Sequence, residues 1–162
     1  MDSSSVERSI LGSVLLANSL WEQTKGLREQ DFSLSAHRCI FRRMRDLAES
    51  GLPIDMVTLA EELGRHNEIE SIRGVDYLSS LIDGVPERTS IAHYVRILQE
   101  NAARRRATKL GEQVQKLAAD PSASTSAFGE LGSTLSELTP GEESAPSAIL
   151  RRSSCSALLA PV

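Results

Sequence analysis

Cysteine is almost absent. Cys39 and Cys155 are the only two in 162 residues, far apart and outside any Cys-x-x-Cys spacing, which excludes a disulfide framework and a cysteine-based zinc site. Aromatic side chains are equally scarce at 4%, so the core must be mostly aliphatic, and the abundance of Leu and Ala favours helices over strands. No stretch approaches the roughly 20 apolar residues of a membrane span. The amino terminus carries Asp2 and Glu7 against Arg8, and its apolar run is broken by Gly12 and Ser13, unlike a signal peptide. A cytoplasmic chain without membrane contact is expected.

An excess of positive charge is also missing. The 18 basic and 22 acidic residues give a net charge of −4, no footprint for wrapping nucleic acid, and a protein surface is the expected partner. His37, His66 and His93 are too far apart for any to find a second ligand one helical turn away. Lys25, Lys109 and Lys116 follow Thr24, Thr108 and Gln115, so no Gly-Lys pair exists to cradle a nucleotide's phosphates. The acidic pairs Glu61-Glu62 and Glu142-Glu143 splay apart on a helix and cannot flank one bond. The serine runs near the amino terminus and after Pro121 read as caps and turns, with no neighbouring base or nucleophile elbow. No catalytic residue, cofactor or metal is therefore expected.

What remains is helical periodicity. Ser3 to Ser5 offer an N-cap to a first helix with Val6, Ile10, Leu11, Val14 and Leu15 on one face. Trp21, Leu27 and Phe32 are spaced too widely for one face, which suits a short helix and a loop. From Ala36 the pattern is sharp, with His37, Ile40, Phe41, Met44, Leu47 and Ala48 on one face and Arg38, Arg42, Arg45 and Glu49 on the other. His37 there reads as a hydrogen-bonded core histidine. Gly51 closes that helix, and Thr58-Leu59-Ala60-Glu61 fits a capping box for the next, which buries Leu59, Ala60 and Leu63. A further short helix carries Tyr77, Leu78, Leu81 and Ile82.

Thr89 or Ser90 caps the longest segment, which runs to about Ala119 and would reach about 45 Å. Its apolar positions Ile91, Val95, Leu98 and Ala102 step by one residue into Ala103, Ala107, Leu110, Val114 and Leu117, with His93 and Tyr94 packing at its start. The second half is a coiled-coil-like seam. Beyond Pro121, the spacing of Phe128, Leu131, Leu135 and Leu138 makes a complementary return arm. The expected organisation is a helical head at 1–88, a helical hairpin at 89–138 and a linker or tail at 139–162. Self-association is expected through Leu110, Val114, Leu117, Phe128, Leu131 and Leu135.

Arg104-Arg105-Arg106 with Lys109 is the densest basic cluster. It reads either as a solvated collar or as a contact for an acidic partner, carried by Arg104, Arg105 and Lys109. The segment from Thr58 to Gly64 suggests the start of a helix-turn-helix, and hence a small DNA-binding regulator. The segment that follows holds Asn67, Glu68, Glu70, Asp76 and Asp83 against Arg73, and would repel phosphate.

Five runs together resemble the amino-terminal domain of the DnaB-type replicative DNA helicases. They are Arg8-Ser9-Ile10-Leu11-Gly12-Ser13-Val14-Leu15-Leu16; Asp31-Phe32 with Ala36-His37-Arg38 and Phe41; Pro53-Ile54-Asp55 through Thr58 and Leu63; Gly74 with Tyr77-Leu78; and Val85-Pro86 with Ile91, His93 and Tyr94. The resemblance covers about residues 5–138. It implies an all-α fold, a small globular head followed by an antiparallel hairpin. It also implies pairing of hairpins into a collar that binds primase, with a helicase loader as another possible contact and DNA met only indirectly. In that family ATP and Mg belong to a RecA-like motor domain, which these runs do not include. Ser35 stands where the family has proline, and Arg73 where it has the first glycine of a pair.

Overall fold

The protein is described here from a computed structural model covering residues 3–83, 85, 90–120, 129 and 132. The all-α expectation holds: five α-helices and three short 3₁₀ turns make up the regular structure, without a strand among the described residues. They are α1 (Ser3–Leu16), α2 (Ser35–Glu49), α3 (Met56–Arg65), α4 (Val75–Ile82) and α5 (Ile91–Ala119). The 3₁₀ turns lie at Asn18–Thr24, Glu29–Asp31 and Glu70–Ile72.

Helix α1 is the hub. Val6, Ile10, Leu11, Val14 and Leu15 are buried, and the helix packs against α5, α4 and α2. The approach to α4 is close enough that a Cβ on Gly12 would stand 2.2 Å from the Leu81 carbonyl oxygen and 2.6 Å from Val85 Cγ2. Ser3, Ser4 and Ser5 are inside the helix rather than at its cap, and Ser3 Oγ turns to Glu7 Oε1 at 3.3 Å.

Helix α2 buries Ala36, His37, Cys39, Ile40, Phe41, Met44 and Leu47. The Phe41 ring lies 5.4 Å from that of Trp21 and 4.8 Å from that of Phe32, so the loosely spaced aromatics converge on one point of the core. At its end Gly51 adopts φ +71°, Gly51 N donates to Ala48 O and Leu52 N to Leu47 O, the paired closure that a left-handed residue permits.

The capping box of α3 begins three residues earlier than the sequence pattern suggested. Asp55, in extended conformation, is the N-cap and accepts from Val57 N and Thr58 N, while Thr58 Oγ accepts from Asp55 N at 3.1 Å. Both signals obey the same rule; Asp55 prevails because a carboxylate accepts two amides at once. Leu59 and Leu63 are fully buried, with Ala60 packed beside them. Before α4, Arg73 takes φ +71°, a conformation that suits glycine. Its guanidinium lies 5.8 Å from the Tyr77 ring centre.

The first part of α5 belongs to the core, where Ile91, Val95 and Leu98 are buried with α1. Tyr94 packs against it partly buried. His93, expected to pack, is exposed, because it falls off the stripe through 91, 95 and 98. Ser90 occupies the N-cap position without a side-chain hydrogen bond, and Thr89 lies outside the described residues.

Candidate partner-binding surfaces

The most enclosed polar cluster lies between α1, α2 and α4. Glu7 and His37 are both 0% exposed. Glu7 Oε2 sits 2.7 Å from His37 Nδ1, and Oε1 accepts from Ser33 N at 2.7 Å and Ser33 Oγ at 2.6 Å. A carboxylate accepts, so His37 Nδ1 carries the hydrogen, and the opposite ring nitrogen pairs with the Tyr77 hydroxyl at 2.7 Å. Burial pushes the Glu7 carboxyl up, but the hydrogen bonds from His37 and Ser33 and the nearby imidazole outweigh it and hold it below its ordinary value. This arrangement ties three helices together and offers no opening to a substrate. Composition does not single out Glu7, but its position does: Glu7, Leu11 and Val14 share one stripe, and a charge there needs a buried partner.

A second polar knot fixes the link between α3 and α4 onto α2. Glu68 accepts from Arg43 Nε and Arg42 Nη2, each at 2.8 Å, and from Cys39 Sγ at 3.1 Å. The Arg43 hydrogen bond is the main reason that Glu68 is held down to about 2, while burial and the facing carboxylate push Cys39 up to about 11. That thiol is not poised for nucleophilic chemistry. Among the described residues no group of three or more His, Cys, Asp and Glu side chains could hold a metal ion. In the segment after Thr58–Gly64, helix α4 carries Asp76 in its first turn and no basic residue in its last.

The basic cluster on α5 divides by direction. Arg105 turns inward, donating to the Asp31 carbonyl oxygen and reaching Ser3 Oγ at 3.4 Å. Arg106 Nη1 lies 3.5 Å from Asp31 Oδ1. Asp31 is itself buried and caps its own turn by accepting from Arg28 N at 2.8 Å. Arg104 and Lys109 are exposed.

Past Ala103 the long helix is largely exposed. Along its apolar seam Leu110 is 5% exposed, Val114 42% exposed and Leu117 half-buried. Phe128, Leu131 and Leu135, the expected complementary residues, lie outside the described residues. No described helix is long and apolar enough to cross a membrane.

Comparison with known proteins places this architecture. The model of the DnaB-like helicase N-terminal domain matches residues 2–100. The replicative DNA helicase DnaB of Buchnera aphidicola subsp. Baizongia pistaciae is 35% identical over 121 residues, which are 74% of this chain and 26% of that protein. The DnaB of Geobacillus stearothermophilus is 39% identical over 101 residues, 62% of this chain and 22% of its own length. The chain thus spans about a quarter of the curated relatives it matches. Among solved structures, the N-terminal domain of DnaB helicase from Mycobacterium tuberculosis superposes with a TM-score of 0.75 at 29% identity, covering 82% of this chain and 95% of that one. A structure of the N-terminal domain of DnaB helicase from Helicobacter pylori and its interactions with primase shares the fold, with a TM-score of 0.63 at 21% identity, covering 73% of this chain and 93% of that one.

Proposed function

Because this chain belongs to the family of DnaB-like helicase N-terminal domains, a non-motor part of replicative helicases, we propose that it is a non-catalytic module for assembly and primase docking. The observation that supports this reading is the run of α5 beyond the head. Past Arg106, which still faces Asp31 of the head, residues 107–119 add about 20 Å at 1.5 Å per residue and contribute Leu110 but little else to burial. A helix extended that far from its core supports a contact with another chain. Val114, in register with Leu110 and Leu117, marks the apolar side it presents. Covering such stripes by a second copy would give a two-fold, self-complementary contact. Primase, or a helicase loader, then docks on the assembled heads, and DNA is met only through the complete helicase.

Native mass measurement, with and without the helicase-binding part of a primase, tests both halves of the proposal. A dimer or higher oligomer is expected alone, and a larger complex with primase. Val114→Lys should bury an ion without a partner, turning oligomer into monomer while the helical signal of the head is kept. A monomer of the unaltered protein at high concentration refutes the assembly role, and an unchanged mass on adding primase refutes the docking role.

A further inference from the structure

Where α5 crosses the Glu29–Asp31 turn lies an open cleft of about 570 Å³. Among the described residues its lining holds five cations, Arg38, Arg104, Arg105, Arg106 and Lys109, and one carboxylate, Glu112, in a chain whose net charge is −4. Three of the guanidinium groups are anchored. Arg38 donates to Phe32 O at 2.7 Å and Ser33 O at 3.2 Å, Arg105 is held by the Asp31 carbonyl, and Arg106 faces the Asp31 carboxylate. Arg104 and Lys109 stand exposed at the rim, and neither forms an ion pair among the described residues. Arg106 Nε is buried without a hydrogen bond among the described residues. The site is therefore positively charged, partly pre-ordered and short of acceptors.

We infer that this cleft is a docking site for an acidic stretch of a protein partner, whose Asp and Glu carboxylates are received by Arg104, Lys109 and the anchored Arg106. Guanidinium groups outnumber the ammonium four to one, which favours planar, two-point recognition of carboxylate or phosphate over diffuse attraction. Three features favour a peptide over a nucleic-acid strand. The cleft spans α5 from Ala102 to Glu112, about 15 Å, enough for four or five extended peptide residues. Glu112 at its end and Asp31 beneath it would interrupt a continuous run of phosphates. Among the described residues no aromatic side chain lines it, so none of them could stack a base. This site does not depend on primase docking, since the partner is defined by its charge.

Fluorescence anisotropy of a labelled eight-residue Asp/Glu peptide, titrated with the full chain at low and moderate salt, tests the assignment. Saturable binding is expected, weakened by salt and at least tenfold tighter than that of an Asn/Gln peptide or a single-stranded eight-nucleotide oligonucleotide. Arg104→Glu with Lys109→Glu should lose at least tenfold, and Arg104→Gln with Lys109→Gln at least threefold. Both variants should keep the helical signal and the native mass of the parent, because the altered residues are exposed. Undiminished affinity in the reversed-charge variant overturns the proposal. So does equal or tighter binding of the oligonucleotide, which would make the cleft a phosphate track instead.

Discussion

Truncating Glu7 to alanine removes the one acceptor around which α1, the start of α2 and α4 are organised. The carboxylate is fully buried and takes hydrogen bonds from Ser33 N, Ser33 Oγ and His37 Nδ1 at 2.6 to 2.7 Å. Without it two N–H groups lose their acceptor where water does not reach, each costing about 1–3 kcal/mol. Together these losses come to about 4 kcal/mol, severe against a domain total of about 5–15 kcal/mol. With a urea dependence of about 2 kcal/mol per molar, the unfolding midpoint should fall by about 2 M. Glu7→Gln, which keeps one acceptor oxygen, should fall by less. His37→Ala should be strongly coupled to Glu7→Ala, the double variant losing about 1–3 kcal/mol less than the two single losses together. A midpoint shift below about 0.5 M for Glu7→Ala would refute the reasoning and place the carboxylate in contact with water. The pH dependence carries the same sign. A folded-state value depressed below 4.5 gives stability that is present above that pH and lost as the pH falls through the lower folded value, so Glu7→Gln should flatten the acid limb.

Gly12→Ala should destabilise by about 1–3 kcal/mol in thermal or urea unfolding, although alanine is the better helix former, because its Cβ would overlap the Leu81 carbonyl and force α1 from α4. Ser35→Pro should stabilise by about 0.4–1 kcal/mol, since Ser35 is the first helical residue after Leu34, which is already extended at φ −84° and ψ 135°; a loss of stability would contradict the helix start described for α2. Glu68→Gln should remove acid sensitivity between pH 4.5 and about 2, because a depressed carboxyl loses its contribution as the pH falls through that window; an unchanged acid unfolding curve would show that Arg43 does not hold it.

Periodicity made most of the fold legible. The helices around Ile10, Ile40, Leu59 and Leu78 follow from apolar residues three and four apart, and the burial of those residues agrees. What periodicity could not locate was the start of a helix. At α3 two capping boxes overlap, Asp55 with Thr58 and Thr58 with Glu61, and the choice depends on whether the chain is already extended at Asp55. The aromatic residues were opaque for a related reason: Trp21, Phe32 and Phe41 meet through a 3₁₀ turn and a loop, whose paths no repeat encodes. Arg73 is a place where the sequence departs from a local preference. Its left-handed backbone would suit glycine, and its side chain instead lies over Tyr77, which also holds His37.

The arginines of α5 show why a charge cluster could not be assigned from sequence. Successive helical residues point about 100° apart, so Arg104, Arg105 and Arg106 cannot all face the same way. Which of them turns inward depends on what crosses the helix, and that is the Glu29–Asp31 turn, seventy residues away in the chain and too short to carry a periodic signal. Asp31 makes the division. Its carbonyl takes Arg105, its Oδ1 faces Arg106 and its Oδ2 closes its own turn through Arg28 N, so one buried acid anchors α5 to the head. Of the cleft's α5 cations Arg104 and Lys109 are left exposed, so the cleft has an anchored floor and an exposed rim. Asp31→Asn should therefore act at a distance from any partner: by loosening Arg106 it should weaken acidic-peptide binding even though Asp31 itself carries the repelling sign. Tighter binding by that variant would mean that Asp31 opposes the ligand more than it orders the site.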